Sequence, residues 1–264
     1  MPLHRAGTID PGRAIDWGRT AEDYAQHRAG PPTSFFRRLL DLGVGLQGQR
    51  ILDLATGTGA LARTFAAQGC RVAGTDIAAG QIEMARRLAD TQGLQVDFRV
   101  AAAEQAVFPA GSFDVVTASQ CWLYFDVART LKALRAQLVP QGLLVTSHFS
   151  WLPREDPIAR ASEALVLQFN PAWRGADWSG EVPELPEWVE PGVRLISHFV
   201  YDEPVGFTRD GWRGRLRACR GVGATLTAAE VADFDQAHAQ LLDRIAPARF
   251  FIPHRIDAHL FALG

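Results

Sequence analysis

Between Gln49 and Phe149, short apolar runs alternate with longer amphipathic stretches. Runs of about four to eight apolar or alternating residues are typical of strands, and apolar residues spaced three or four apart are typical of helices. The predicted strands are 50–55, 71–76, 95–101, 113–119 and 142–148, and the predicted helices are 60–68, 80–91 and 127–138. Strands and helices that alternate over short connections predict a doubly wound, mostly parallel α/β sheet.

The pattern changes after Phe149, where tryptophan and proline become frequent. Periodicity predicts helices at 158–169, 209–218 and 228–245, and strands at 194–200 and 254–263. Two strands so far apart in sequence predict an antiparallel pair at the sheet edge, interrupted by a Trp-rich helical insertion that acts as a lid. We therefore predict a single domain, 1–264, in six segments: an N-terminal helical segment (1–48), a core (49–149), two lid insertions (150–193 and 207–247) and two closing edge strands (194–206 and 248–264).

Composition narrows the classes of protein to consider. The 264 residues are 47% hydrophobic with a net charge of -2, which disfavours disorder and a nucleic-acid partner. No apolar run is long enough to span a membrane, and residues 1–16 contain no signal-peptide core, so a cytoplasmic location is expected. The three cysteines form no metal-binding or disulfide pattern, and we predict no metal site.

The turn after the first strand predicts a nucleotide site. Gly57 and Gly59 allow a close approach of backbone to ligand, and Asp76 ends the second strand, where a carboxylate accepts ribose hydroxyls. Gly57, Gly59 and Ala62 also fit the loose dinucleotide pattern, which is weak alone. The carboxylate of Asp53, just before the turn, would repel a pyrophosphate but would tolerate a zwitterionic ligand with a positively charged group.

With these residues, the segment Tyr24–Phe149 resembles the class I S-adenosylmethionine-dependent methyltransferases, in particular the ubiquinone/biotin-synthesis-like (methyltransferase type 11) group. The resemblance rests on five motifs in order: 51–59 (ILDLATGTG), 72–76 (VAGTD) with 81–85 (QIEMA), 103–104 (AE) with 108–109 (FP), 111–116 (GSFDVV) and 138–142 (LVPQG). It implies a Rossmann-like, seven-stranded sheet whose last strand is antiparallel. It also implies S-adenosylmethionine as cofactor and S-adenosylhomocysteine as product.

The resemblance further implies cofactor-binding roles for thirteen residues: Tyr24, Arg28, Asp53, Ala55, Thr56, Gly57, Gly59, Asp76, Ile77, Gln81, Ala103, Glu104 and Gln120. The loop 55–59 would pass under the methionine part, with Asp53 close to its ammonium group. Asp76 would bind the ribose and Ile77 would pack on the adenine. Arg28 would pair with the methionine carboxylate, although Tyr24 and Arg28 could also only pack and cap their helix.

Candidate chemistry follows the fourth and fifth strands. His148 lies at the end of the fifth strand and is the candidate general base, the alternative being a packing residue. Trp122, Tyr124 and Trp151 are candidate aromatic walls for an acceptor, with a place in the core as the alternative. Farther along, Arg213, Arg217 and Arg220 share a helix face. That face could receive an acidic substrate, and a solvated basic face is the preferred interpretation.

These features predict transfer of a methyl group from S-adenosylmethionine to an O, N or C atom of a small, aromatic or apolar acceptor. Cyclisation or cleavage of the same cofactor is the first alternative. An NAD-binding oxidoreductase and a non-catalytic nucleotide sensor are others. The sequence distinguishes neither the acceptor nor the oligomeric state. A small-molecule substrate is the expected partner, and neither nucleic acid nor a membrane is.

Overall fold

The computed structural model describes residues 9–28 and 30–264. Its helices are α1 (Ala21–His27), α2 (Thr33–Asp41), α3 (Ala60–Ala67), α4 (Ala79–Thr91), α5 (Val127–Gln137), α6 (Pro157–Phe169), α7 (Arg209–Arg217) and α8 (Ala228–Ile245). Its strands are β1 (Arg50–Leu54), β2 (Arg71–Asp76), β3 (Val96–Val100), β4 (Phe113–Ser119), β5 (Leu138–Trp151), β6 (Arg194–Thr208) and β7 (Arg249–Ala262). Short 3-10 turns lie at Trp17–Thr20, Ala103–Gln105 and Trp122–Tyr124.

The seven strands form one sheet in the order β3-β2-β1-β4-β5-β7-β6. The first five pair in parallel, with Asp53 opposite both Gly74 and Thr117. The order reverses at β1, so the carboxyl ends of β1 and β4 flank the switch point where α/β sheets bind ligands. The predicted α/β sheet with antiparallel closing strands is confirmed.

The three closing strands are longer than predicted. β5 begins at Leu138 rather than Gly142, so the strand includes Pro140. Its pairing with β4 shifts register there, since Phe113 pairs with Leu138 and Val115 pairs with Leu143. β6 extends to Thr208, and its alternation of half-buried and exposed residues is that of a strand with one solvated face. Each of these extensions contains a proline (Pro140, Pro204 or Pro253), which counts against a strand when only the sequence is considered.

The chain divides into two compact units, and three of the five boundaries, at 149/150, 200/201 and 255/256, fall inside β5, β6 and β7. The sheet unit comprises 30–149, 182–200 and 256–264, and the helix-rich unit comprises 9–28, 150–181 and 201–255. The core of the sheet unit centres on Leu52, Val116 and Leu144, together with Trp122. The other core is built around Trp212, Phe234 and Ile252.

In the helix-rich unit, α1 and α7 pack closely against each other. A Cβ atom at Gly214 would lie only 2.0 Å from the His27 ring, so glycine permits this approach. Within the two ranges that the structure describes, no helix combines the length and apolar character needed to cross a membrane.

Candidate functional site

The loop after β1 has an unusual backbone. Ala55, Gly57 and Gly59 all have positive φ, at 48°, 56° and 77°. Such angles turn the backbone sharply and are unfavourable for alanine, which makes Ala55 a strained position of the kind that concentrates at functional sites. A Cβ at Gly59 would meet the Phe98 ring at 2.7 Å, so glycine there serves packing as well as conformation.

Asp53 lies beneath this loop and is 2% exposed. Its Oδ2 accepts a hydrogen bond from the Thr56 hydroxyl at 2.5 Å, and its Oδ1 accepts one from the Thr117 hydroxyl at 2.7 Å. Burial raises the pKa of Asp53 to about 6, against the lowering effect of the two hydroxyls. The two threonines therefore let Asp53 anchor the loop to β4, and its expected position close to a ligand ammonium stays a prediction.

Asp76 ends β2 beside the same loop. Its Oδ2 accepts a hydrogen bond from the Gly57 amide at 2.9 Å, and its Oδ1 accepts one from the Ala78 amide at 2.8 Å. These two amides fix the plane of the carboxylate, and each oxygen retains a second lone pair. Burial raises the pKa of Asp76. The arrangement suits a carboxylate that accepts a pair of vicinal hydroxyls.

The residues implied for the adenine side occupy different environments. Ile77 is 53% exposed directly after Asp76, as a residue that packs on a flat ligand would be. Ala103 and Gln81 are buried, whereas Glu104 is only half-buried and accepts a hydrogen bond from the Asp126 amide at 2.7 Å. One Glu104 oxygen therefore holds the start of α5.

The residues after β4 are held to β5 and to the core. The Gln120 amide nitrogen donates to the Phe149 carbonyl, and its backbone N–H donates to the Ser147 carbonyl at 2.8 Å. Trp122 is buried in the sheet-unit core against Trp188, with ring centroids 4.7 Å apart. This burial favours the core alternative, and the role of Trp122 as a substrate wall stays a prediction. Tyr124 is half-buried at the edge of that core, and its role stays a prediction.

His148 forms a pair that the sequence did not indicate. Its Nδ1 lies 3.0 Å from Oδ1 of Asp257, a fully buried residue of β7, while the His148 side chain is 42% exposed. The carboxylate favours the tautomer with a proton on Nδ1, which leaves Nε2 to accept a proton. Asp257 escaped prediction because 109 residues separate it from His148, and only the pairing of β5 with β7 makes them neighbours.

Asp257 has a second histidine beside it. His259 Nδ1 lies 3.7 Å from Asp257 Oδ1, and its Nε2 lies 2.9 Å from the Pro183 carbonyl oxygen. Burial lowers the pKa of His259. A neutral His259 that donates from Nε2 presents a lone pair toward Asp257, so His148 is the histidine that donates to this carboxylate.

Tyr24, Arg28 and Trp151 belong to the helix-rich unit. The Arg28 guanidinium carbon lies 4.6 Å above the Tyr24 ring. Trp151 is buried, and its Nε1 donates to Glu163 at 2.6 Å. Glu163 also accepts a hydrogen bond from the Asp177 amide. The Asn170 side-chain amide donates to the Gly221 carbonyl and the Thr225 hydroxyl, so Glu163 and Asn170 both support the local structure.

The arginine-rich helix differs from both predicted interpretations. Arg213, Arg217 and Arg220 are all ion-paired within the helix-rich unit, to Asp235, to Asp23 and Asp235, and to Asp10 respectively. They form neither a solvated basic face nor a ready receptor for an acidic substrate. The buried arginine of the segment is Arg215, which the sequence interpretation did not single out.

Comparisons with known proteins agree with the geometry of the sheet unit. The profile of a family described as a methyltransferase domain matches residues 51–142. The aklanonic acid methyltransferase DauC from Streptomyces sp. (strain C5) is 38% identical over 178 residues, which are 62% of this chain and 78% of DauC. The chain belongs to the class I S-adenosylmethionine-dependent methyltransferases.

Two further comparisons define the extent of the likeness. A ubiquinone biosynthesis O-methyltransferase from Methylocella silvestris is 35% identical over 135 residues, 50% of this chain. The match covers 52% of that enzyme, about half its length. A methyltransferase structure from Thiobacillus denitrificans in complex with S-adenosylhomocysteine shares the fold, with a TM-score of 0.51, 19% identity and coverage of 92% of this chain and 96% of that one.

The sheet unit of this methyltransferase fits the family's cofactor, S-adenosylmethionine. Ala55, Gly57 and Gly59, all with positive φ, curve the backbone of the loop around the expected ligand position. Two amides orient the Asp76 carboxylate, and Ile77 presents an exposed apolar surface next to it. Among the residues that the structure describes, no group of His, Cys, Asp and Glu is arranged to hold a metal ion.

Proposed function

We propose that this methyltransferase moves a methyl group from S-adenosylmethionine to a hydroxyl oxygen of a small-molecule acceptor, with His148 as general base. The observation that carries the proposal is the pair of His148 with the buried Asp257 at the carboxyl end of β5. A base is needed only where the acceptor atom bears a proton that must leave, which favours a hydroxyl over an already ionised group. The names of the relatives, an O-methyltransferase and an aklanonic acid methyltransferase, support an oxygen-bearing small molecule.

The residues that would hold the cofactor are those of the sheet unit. The cofactor supplies an activated methyl group on a sulfonium. Loop 55–59 would bind its methionine part through backbone groups, Asp76 its ribose hydroxyls, and Ile77 and Ala103 its adenine. Asp53 would support cofactor binding by holding the loop in place, because it accepts hydrogen bonds from Thr56 and Thr117.

His148 handles the proton. With the cofactor bound, the acceptor oxygen would take the methyl group that the cofactor supplies, and the sulfonium would leave as a neutral thioether. The proton of the hydroxyl passes to His148 Nε2, and the resulting imidazolium is stabilised by the Asp257 carboxylate before it returns the proton to solvent. Positioning of the two reactants supplies the rest of the rate acceleration.

Three variants separate cofactor binding from proton transfer. Calorimetric titration with S-adenosylmethionine should show micromolar binding to the wild type and to His148→Gln, and weaker binding to Asp76→Ala. With a panel of phenolic acceptors, S-adenosylhomocysteine release should fall about 100-fold or more in His148→Gln, and should also fall in Asp257→Asn.

Three results would contradict the proposal. Unchanged turnover in His148→Gln would remove its role as base. Release of methylthioadenosine instead of S-adenosylhomocysteine would support cleavage of the cofactor, the alternative reaction. Absence of S-adenosylmethionine binding by the wild type would contradict the cofactor assignment for this chain.

A further inference from the structure

Arg215 occupies an unusual place for a charged residue. It lies on α7 with Trp212 three residues before it, and Leu216 and Cys219 after it, all of them buried. This spacing defines the apolar face of the helix. Arg215 itself is only 6% exposed, so a cation is buried where the pattern calls for an apolar side chain.

The surroundings of Arg215 are aromatic and cationic. Its guanidinium carbon lies 4.6 Å from the centre of the Trp151 ring, a cation–π distance. Burial, followed by the charge of Arg28, lowers the pKa of Arg215 to about 9. Arg28 in turn lies over Tyr24. The two guanidinium groups therefore repel each other, and each lies over an aromatic ring.

The carboxylates of the region are committed elsewhere. Asp10, Asp23 and Asp235 pair with the other arginines of the same segment. Glu163 lies beyond the indole nitrogen of Trp151, and its two oxygens accept from that nitrogen and from the Asp177 amide. Within residues 9–28 and 30–264, Nη1 of Arg215 is buried with no hydrogen-bond partner.

A buried guanidinium with unused donors is costly unless an anion completes it. A methionine of similar length would fill the same space on this face without that cost. We propose that Arg215, stacked on Trp151 and supported by Arg28, is a receptor for the carboxylate of a ligand. Arginine presents a planar fork of donors that matches a carboxylate.

The inference commits to an acidic small molecule as that ligand, and it goes beyond the proposed function, which names no charged group on the acceptor. Two experiments on the full chain test the receptor, and neither requires the cofactor.

The first experiment compares the melting temperature of Arg215→Met with that of the wild type without ligand, and the second adds a carboxylate probe. Arg213→Met is the matched control, since Arg213 lies on the same helix and already has Asp235 as partner.

The second experiment uses benzoate as the probe and neutral benzamide as its isostere, with thermal unfolding as readout. If the receptor takes the carboxylate of an acidic acceptor, benzoate should raise the melting temperature of the wild type and of Arg213→Met but not of Arg215→Met. Benzamide should raise none of them. Arg215→Lys, which keeps the charge but not the fork, should respond to benzoate weakly.

The melting temperatures without ligand test the premise itself. Arg215→Met should unfold at the same temperature as the wild type or higher, because it removes an uncompensated buried charge. A large fall would show that Arg215 is satisfied inside the protein and would overturn the inference. The inference also fails if benzoate raises the melting temperature of Arg215→Met as much as that of the wild type, or raises neither. A benzoate response with no S-adenosylmethionine binding would sustain the receptor while refuting the proposed function.

Discussion

Replacement of Asp53 by asparagine should change how stability depends on pH. Asp53 has a pKa of about 6 in the folded protein against 3.8 as the reference value, chiefly because it is buried. An acid whose pKa is raised on folding holds its proton more tightly when folded. Its ionisation therefore opposes folding, and this cost is relieved as the pH falls through 6 toward 3.8.

The magnitude follows from the two pKa values. A difference of about two units corresponds to about 3 kcal/mol in full, and about 1.3 kcal/mol of it accumulates between about pH 7 and about pH 5. Asparagine keeps the shape and can still exchange hydrogen bonds with the hydroxyls of Thr56 and Thr117, but it does not titrate. The unfolding free energy of the wild type minus that of Asp53→Asn should therefore rise by this amount as the pH falls.

Urea unfolding followed by tryptophan fluorescence at several pH values measures this difference. Asp114→Asn is the control, because Arg50 lowers the pKa of Asp114, and the stability that Asp114 contributes is lost only below about pH 3.8. Its difference from the wild type should be constant between about pH 7 and about pH 5. A constant difference for Asp53→Asn as well would refute the view that burial opposes the ionisation of Asp53 more than its two hydrogen bonds favour it.

Three further substitutions test local features of the fold by thermal or urea unfolding. Ala55→Gly should stabilise the protein by about 1 kcal/mol, because it relieves a positive φ that alanine disfavours; destabilisation would contradict the strain. Gly214→Ala should destabilise the protein by about 1–3 kcal/mol, because the new Cβ collides with His27, although alanine is the better helix former. Gly206→Ala is the control and should have little effect, because the nearest atom to its new Cβ lies at 3.4 Å. Thr227→Ala should cost about 1 kcal/mol by removing the capping box at the start of α8, and Thr227→Ser should cost much less; equal losses would show that the hydroxyl is not what matters.

The periodicity of the chain by itself determined most of its elements. The bounds of β2, β4 and α8 agree with the predicted ones at every residue, and those of β1 and α3 differ by one. Local rules suffice there, because glycine punctuation, apolar runs and capping residues act over a few neighbouring positions. The glycine turn, Asp76 and His148 were also identifiable from their places at strand ends, where parallel sheets bind ligands.

The tertiary structure alone decided which polar groups meet. Asp257 reaches His148 only because β7 lies next to β5, and Asp53 is committed to Thr117 only because β4 lies next to β1. Packing also decides the pairing of the arginines at 213–220. Carboxylates from distant positions pair with Arg213, Arg217 and Arg220, whereas Nη1 of Arg215 is buried without a hydrogen-bond partner among the described residues. Periodicity reports which side of an element faces inward, but the partner of a charge lies on another element, and the packing of elements selects it.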